Sequence, residues 1–232
     1  MEFNKYNTWI FDCDGVILDS NNIKTNAFFD VVLPYGKDYA DTFIEYHKKN
    51  GGISRYQKFK YFFDEIVRKH DYQKDLNAIL EAYRISVQRK LILSDETEGL
   101  RDFISVLPRT ARKIVVSGGD QEELREVFQR KRLDRLFDEI FGSPRDKRDI
   151  IREAIQQDKI LEPVVFIGDS QFDYEVSKEF DYDFIFMSKY SEFHQWRSYF
   201  SNNQDIFPIN SLKDLLPMFN TTPQCSDCPK KN

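Results

Sequence analysis

The sequence predicts an α/β fold, a parallel sheet with helices on both faces, joined by a small and mainly helical second domain. Three observations predict it. Short, β-prone apolar runs recur through the second half of the chain with a helical segment between each pair, the alternation that builds parallel sheets. One isolated run of the same kind, Thr8-Trp9-Ile10-Phe11, stands near the N-terminus. Between that run and the others, from about Asn21 to Leu93, the pattern is helical and no strand run interrupts it.

The first strand ends in Asp12, Asp14 and Gly15, so a buried strand delivers acidic residues at its C-terminal end. Within the helical stretch, Phe59, Phe62, Phe63 and Ile66, then Leu76, Ile79, Leu80 and Tyr83, fall at the spacing of one helix face. Pro34-Tyr35-Gly36 and Asn50-Gly51-Gly52 break it, and Ser54 is placed to cap the helix after the second break. Beyond Glu96 the expected order is a helix over 100–107, a strand over 113–116 and a helix over 121–130, with Asp120 and Glu123 as its capping pair. A short strand at Ile140-Phe141, a helix over 146–156, a strand over 164–167, a helix from Phe172 and a strand over 184–186 complete the series. The predicted division is a core of residues 1–19 and 95–220, a helical insertion of 20–94, and a mobile tail of 221–232.

At 232 residues the chain suffices for one core and a minor lobe. Charged residues are 31% of it and no apolar run nears a membrane span, which points to a soluble protein. The start, Met1-Glu2-Phe3-Asn4-Lys5, lacks a charged-then-apolar leader, so a cytoplasmic location is expected. The net charge of -5 includes no long basic block, which argues against nucleic acid as a partner. Three cysteines make no disulfide framework, and the tail pair Cys225 and Cys228 is too small for a four-ligand zinc site.

Four short stretches carry the chemistry. In Asp12-Cys13-Asp14-Gly15-Val16, two carboxylates two residues apart in extended backbone point the same way. One, held ionised, can attack phosphorus; the other can protonate a leaving oxygen and later activate water. An acidic turn is the plain alternative. In Val115-Val116-Ser117-Gly118-Gly119-Asp120, a hydroxyl and approachable backbone N–H groups at a strand end suit an anion, although such turns are often only turns. In Gly142-Ser143-Pro144-Arg145-Asp146-Lys147-Arg148, three cations at a helix start compete for the role of phosphate counterion. In Phe166-Ile167-Gly168-Asp169-Ser170-Gln171-Phe172-Asp173, two carboxylates beside a strand end offer the oxygen ligands that magnesium prefers, with helix capping by Asp169 as the alternative.

In this order and spacing the four stretches resemble the haloacid dehalogenase superfamily of phosphotransferases, from about Thr8 to Met187. The resemblance implies a Rossmann-like core and a magnesium-dependent phosphatase acting on a small phosphorylated metabolite. By it Asp12 is the nucleophile and Asp14 the general acid and base. Ser117 and Gly118 bind phosphate, with Lys147 as the balancing cation. Magnesium is held by Asp12, the backbone carbonyl of Asp14 and Asp169, with Asp173 in support. The insertion looks like the family's cap, and Gly52-Ile53-Ser54-Arg55 resembles the specificity loop of the β-phosphoglucomutase branch, which makes Arg55 a substrate-binding candidate.

Cys13 departs from the larger apolar residue frequent at its position and reads as a packing residue. The third stretch lacks a common Lys-Pro pair, so Lys147 is chosen over Arg145 and Arg148. A phosphomutase would share every core residue. Dehalogenation would not need Asp14, phosphonate hydrolysis lacks the second Asp, and a non-catalytic binding module would require the site to have decayed. Sugar, polyol and amino-alcohol phosphates are the natural substrate guesses, and nothing in the sequence chooses among them or sets an oligomeric state.

Overall fold

The computed structural model describes residues 3–203 and 205–219, so the tail with Cys225 and Cys228 lies outside the described residues. Strand β1 (Thr8–Phe11) is followed by four helices, α1 (Asn21–Val32), α2 (Lys37–Lys49), α3 (Arg55–Tyr61) and α4 (Gln73–Leu93). Then come α5 (Leu100–Val106), β2 (Arg112–Asp120), α6 (Gln121–Lys131), β3 (Glu139–Ser143) and α7 (Lys147–Gln156). The chain continues with β4 (Val164–Gly168), α8 (Gln171–Glu179), β5 (Asp183–Met187), the short α9 (Trp196–Tyr199) and β6 (Ile206–Ile209). No helix of the described residues is long and apolar enough to cross a membrane.

The six strands form one sheet in the order β3-β2-β1-β4-β5-β6, and every neighbouring pair is parallel. Such sheets are covered on both faces, and the side-chain alternation shows it. Trp9, Phe11, Val115, Val165 and Ile167 pack to one side, against α5 and α6 through Phe103 and Phe128. Ile10, Ile114, Val116, Phe166 and Phe184 pack to the other, against α7 and α8 through Ile150, Ile151 and Val176.

The insertion has its own aromatic centre. Phe28, Phe43, Phe59 and Tyr83, one from each of α1 to α4, are buried with ring centroids 4.3 to 5.7 Å apart. Burying each such ring contributes on the order of 2–3 kcal/mol, which is how four helices without a sheet hold together. The breaks fall where expected: a 3-10 turn at Leu33–Tyr35 with Gly36 at φ 131°, and a turn after Lys49 from which Ser54 caps α3 by accepting the Gln57 N–H.

Two details differ from the expected pattern. Asp120 caps α6 as predicted, but the Glu123 carboxylate turns away from the cap toward Arg55. Strand β6 was not expected, because Pro208 interrupts its apolar run; it pairs only with β5, and an edge is where a sheet tolerates proline.

Candidate active site

Strand β1 is hydrogen-bonded to β2 on one side and β4 on the other, so the C-terminal ends of these three strands lie side by side. Residues just past those ends converge, which is where α/β sheets gather chemistry. Asp12 follows the last residue of β1 and is 2% exposed. Its Oδ1 lies 2.8 Å from Lys147 Nζ. Lys147 opens α7 behind the Asp146 cap and also reaches Asp173 Oδ1 at 2.6 Å. The other oxygen of Asp173 accepts from the backbone N–H and hydroxyl of Ser170, at 3.2 and 2.6 Å, in the capping box of α8. Arg145 and Arg148 are turned elsewhere, to Glu153 and Glu179.

Asp169 follows β4, and the Asn21 side-chain amide donates to its Oδ2 at 2.7 Å. It is Ser170 that caps α8, so Asp169 is free to face the cleft. Oxygens of Asp12, Asp169 and Asp173 come within 4.8 Å of one another. Of these three buried carboxylates, Asp12 and Asp173 share the ammonium of Lys147, and Asp169 has only the neutral Asn21 amide. Burial, then repulsion from Asp12 and Asp173, pushes the Asp169 carboxyl well above the usual carboxylate range. Burial likewise pushes Asp12 up to about 7, against the attraction of Lys147 and with the repulsion of Asp173 and Asp14. An all-oxygen cluster short of positive charge fits a hard divalent cation such as magnesium.

Asp14 accepts the Ser20 hydroxyl at 2.6 Å on one oxygen and the Lys24 ammonium on the other. Burial alone would raise its pKa, but the Lys24 charge and the two hydrogen bonds outweigh burial and hold it below the usual range. Gly15, at φ 75°, lets the loop pass close to Asp169: a Cβ there would come within 2.3 Å of Asp169 Oδ2. Cys13 is buried in the main apolar cluster.

Ser117 is buried on β2, and its Oγ accepts the Gly119 N–H at 3.0 Å. The expected turn at Gly118-Gly119 is instead the end of the strand, where the register against β3 shifts between Val116 and Asp120. At that irregularity the Gly119 amide bonds the Ser117 hydroxyl oxygen. A Cβ on Gly118 would meet the Gly52 carbonyl oxygen at 2.3 Å, so only glycine lets the insertion seat here.

Asp12, Asp14, Gly118, Asp169 and Arg55 line one cavity between the sheet and the insertion. Arg55 is buried in its wall, paired through its two terminal guanidinium nitrogens with Glu123 and stacked on Tyr83, 4.6 Å from the ring centroid. Replacing Arg55 by Ala should therefore lower stability by about 3–5 kcal/mol, the usual cost of leaving a buried partner charge alone. Denaturant unfolding measures it, and Glu123→Gln in the same chain should recover part of the loss. A loss under about 1 kcal/mol would show that the pair is not held dry.

The cavity also contains residues that sequence reasoning did not single out: Asn21 and Lys24 from α1, His47 and Lys58 from α2 and α3, and Glu192 after β5. The one available signal was Ser20 and Lys24, set four apart just after the first acidic stretch and so on one side of a helix start.

Residues 9–187 match the family of haloacid dehalogenase-like hydrolases. No curated protein matches the chain. Among solved structures, β-phosphoglucomutase from Clostridium difficile superposes with a TM-score of 0.71 at 15% identity, over 93% of this chain and 97% of that one. A haloacid dehalogenase-like hydrolase from Streptococcus pneumoniae gives 0.68 at 18% identity, over 93% and 99%. CbbY from Rhodobacter sphaeroides, in complex with phosphate, gives 0.67 at 15%, over 90% and 96%.

Proposed function

The chain belongs to the haloacid dehalogenase-like hydrolase family, and from that premise we propose that it is a magnesium-dependent phosphatase of small phosphate monoesters working through an aspartyl-phosphate. The observation that carries this reading is the meeting of the buried Asp12, Asp169 and Asp173, the first and last of them paired with Lys147, and the half-buried Asp14 on the wall of the same cavity as Asp12 and Asp169. Asp12 attacks phosphorus and the ester P–O bond breaks, while Asp14 gives the departing alkoxide its proton. Asp14 then takes a proton from the water that attacks the aspartyl-phosphate, releasing phosphate and restoring Asp12. The Lys24 contact favours the ionised form of Asp14, which suits the second half of this cycle. Ser117 and the amides beside Gly118 hold the phosphoryl oxygens, and Lys147 offsets charge on the phosphoryl group and on Asp12.

Asp12, Asp169 and the Asp14 backbone carbonyl would hold magnesium, with Asp173 in support. Bound there, the ion supplies charge that screens an anionic nucleophile from an anionic phosphate. Residues 20–94 serve as the cap that excludes water and selects the substrate, a role supported by the way α1 to α4 close the cavity over the strand ends. Arg55 contributes to substrate choice through that cap.

Phosphate release from a panel of sugar, polyol and amino-alcohol phosphates, with magnesium, tests the reading. No release from any ester, including an activated aryl phosphate, counts against it; bisphosphorylated sugars that isomerise rather than lose phosphate identify a mutase instead. Magnesium added to chelator-treated protein should raise the unfolding midpoint by several degrees, since relieving three crowded carboxylates stabilises only the folded state. Phosphate release should rise with the same magnesium dependence. A midpoint indifferent to magnesium would remove the ion from the account.

A further inference from the structure

We propose that the cavity contains a receptor for a second anionic group, Lys58, so that the natural substrate carries a carboxylate or another phosphate beyond the ester that is cleaved. This rests on the phosphatase reading for the word substrate, but the receptor stands on its own observations. Three cations are buried among the described residues: Lys147, Arg55 and Lys58. Lys147 lies between Asp12 and Asp173, and Arg55 is forked onto Glu123. Lys58, 2% exposed on the cavity wall, has no carboxylate within ion-pair distance among the described residues. Its one hydrogen-bond partner there is His47 Nδ1, at 2.7 Å. An ammonium has three hydrogens to place, and a buried charge left without an anion is costly.

The surroundings leave Lys58 on the cavity wall without a directly paired anion. By accepting from Lys58, His47 Nδ1 leaves the ring proton on Nε2, which donates to Thr25 Oγ1 at 2.9 Å. The Thr25 hydroxyl in turn donates to the Glu192 carboxylate. Every donor points from Lys58 toward Glu192, which also lies 3.6 Å from His47 Nε2, so the nearest carboxylate of this chain of contacts stands beyond the imidazole and outside ion-pair distance of Lys58. Burial, with repulsion from Lys24, brings the Lys58 ammonium down to about 7 despite the longer-range attraction of Glu192, Asp14 and Asp169. An anion in the cavity would complete the pair that the protein leaves unmade. Of the other cations lining the cavity, Lys24 is committed to Asp14 and Arg55 to Glu123, while Lys48 and Lys49 are exposed and already hydrated.

The test measures binding in the full chain carrying Asp12→Asn, with magnesium, where no turnover is needed. The probes are 3-hydroxypropyl phosphate, 3-(phosphonooxy)propanoate and propane-1,3-diyl bisphosphate, matched in length and differing at the far end. At least one of the two anion-bearing esters should bind about tenfold or more tighter than the hydroxyl ester, the scale of a charge-assisted hydrogen bond. Which one does so separates carboxylate from phosphate. In Lys58→Met that ratio should fall to within about twofold, and Lys58→Arg should restore most of it. No preference with Lys58 in place, no binding of either anion-bearing ester, or a ratio untouched by Lys58→Met overturns the proposal. Where Lys58→Met fails to fold, Lys58→Gln takes its place in the same comparison, with the same expected fall in the ratio. Wild-type protein that releases phosphate from none of the esters, while the binding ratio holds, would fail the phosphatase reading and leave the receptor standing.

Discussion

Replacing Asp12 by asparagine should lower phosphate release by at least about four orders of magnitude, on the scale seen when an enzyme loses its nucleophile. The amide keeps the shape of the carboxylate at a position with almost no room, so the change is one of chemistry rather than packing. It cannot form the phosphoryl bond, and it is a poorer ligand for a hard cation. The fold should survive. Lys147 keeps its 2.6 Å contact with Asp173, so its buried ammonium is not stranded. One of three mutually repelling carboxylates also disappears, and without magnesium that should leave the variant no less heat-stable than the parent. Circular dichroism and an unfolding midpoint establish the folded state; phosphate release over hours with an activated ester sets the residual rate. A folded variant working at the parental rate would mean that the nucleophile lies elsewhere.

Much of this arrangement was legible in the sequence, for physical reasons that differ from place to place. The buried strands could be read because a parallel sheet covered on both faces needs continuous apolar runs, as in Val164 to Ile167. Asp12 could be placed because it follows such a run directly and Asp169 because one glycine separates it from such a run, and the run fixes where its end points. The helical insertion was visible from the 3.6-residue spacing around Phe59 and Tyr83. Strand β6 was hidden by Pro208, whose missing N–H matters little at an edge but breaks the local signal. Lys24, His47, Lys58 and Glu192 were hidden for another reason. They lie on three helices and one loop, and only the seating of the insertion on the sheet gathers them. Arg55 shows the same limit. Its spacing placed it at the start of α3 beside the cavity, while its pairing with Glu123, 68 positions away, depends wholly on tertiary structure.

Asp14→Asn should separate the two halves of the reaction, because the role proposed for Asp14 differs between them. In the first half it protonates the leaving oxygen, a contribution typically worth about 10²–10⁴-fold. An aryl phosphate with an activated leaving group needs little of that help, whereas an alkyl ester needs all of it. In the second half it takes a proton from water, and both substrates need that equally. With the aryl phosphate the variant should therefore release close to one equivalent of phenol per chain in a burst, then slow to the rate at which the aspartyl-phosphate hydrolyses. With an alkyl ester there should be no burst and a larger overall loss. The burst also requires that Asp12 still attacks, so it reports on the intermediate itself. Asn at position 14 can keep the Ser20 hydrogen bond but leaves the largely buried Lys24 without its anion, so some stability should be lost. Lys24→Met in the same chain should recover part of it and leave the burst in place, which distinguishes a catalytic defect from a damaged fold. Equal losses on aryl and alkyl esters, with no burst on either, would assign Asp14 to positioning and require another group as the acid and base.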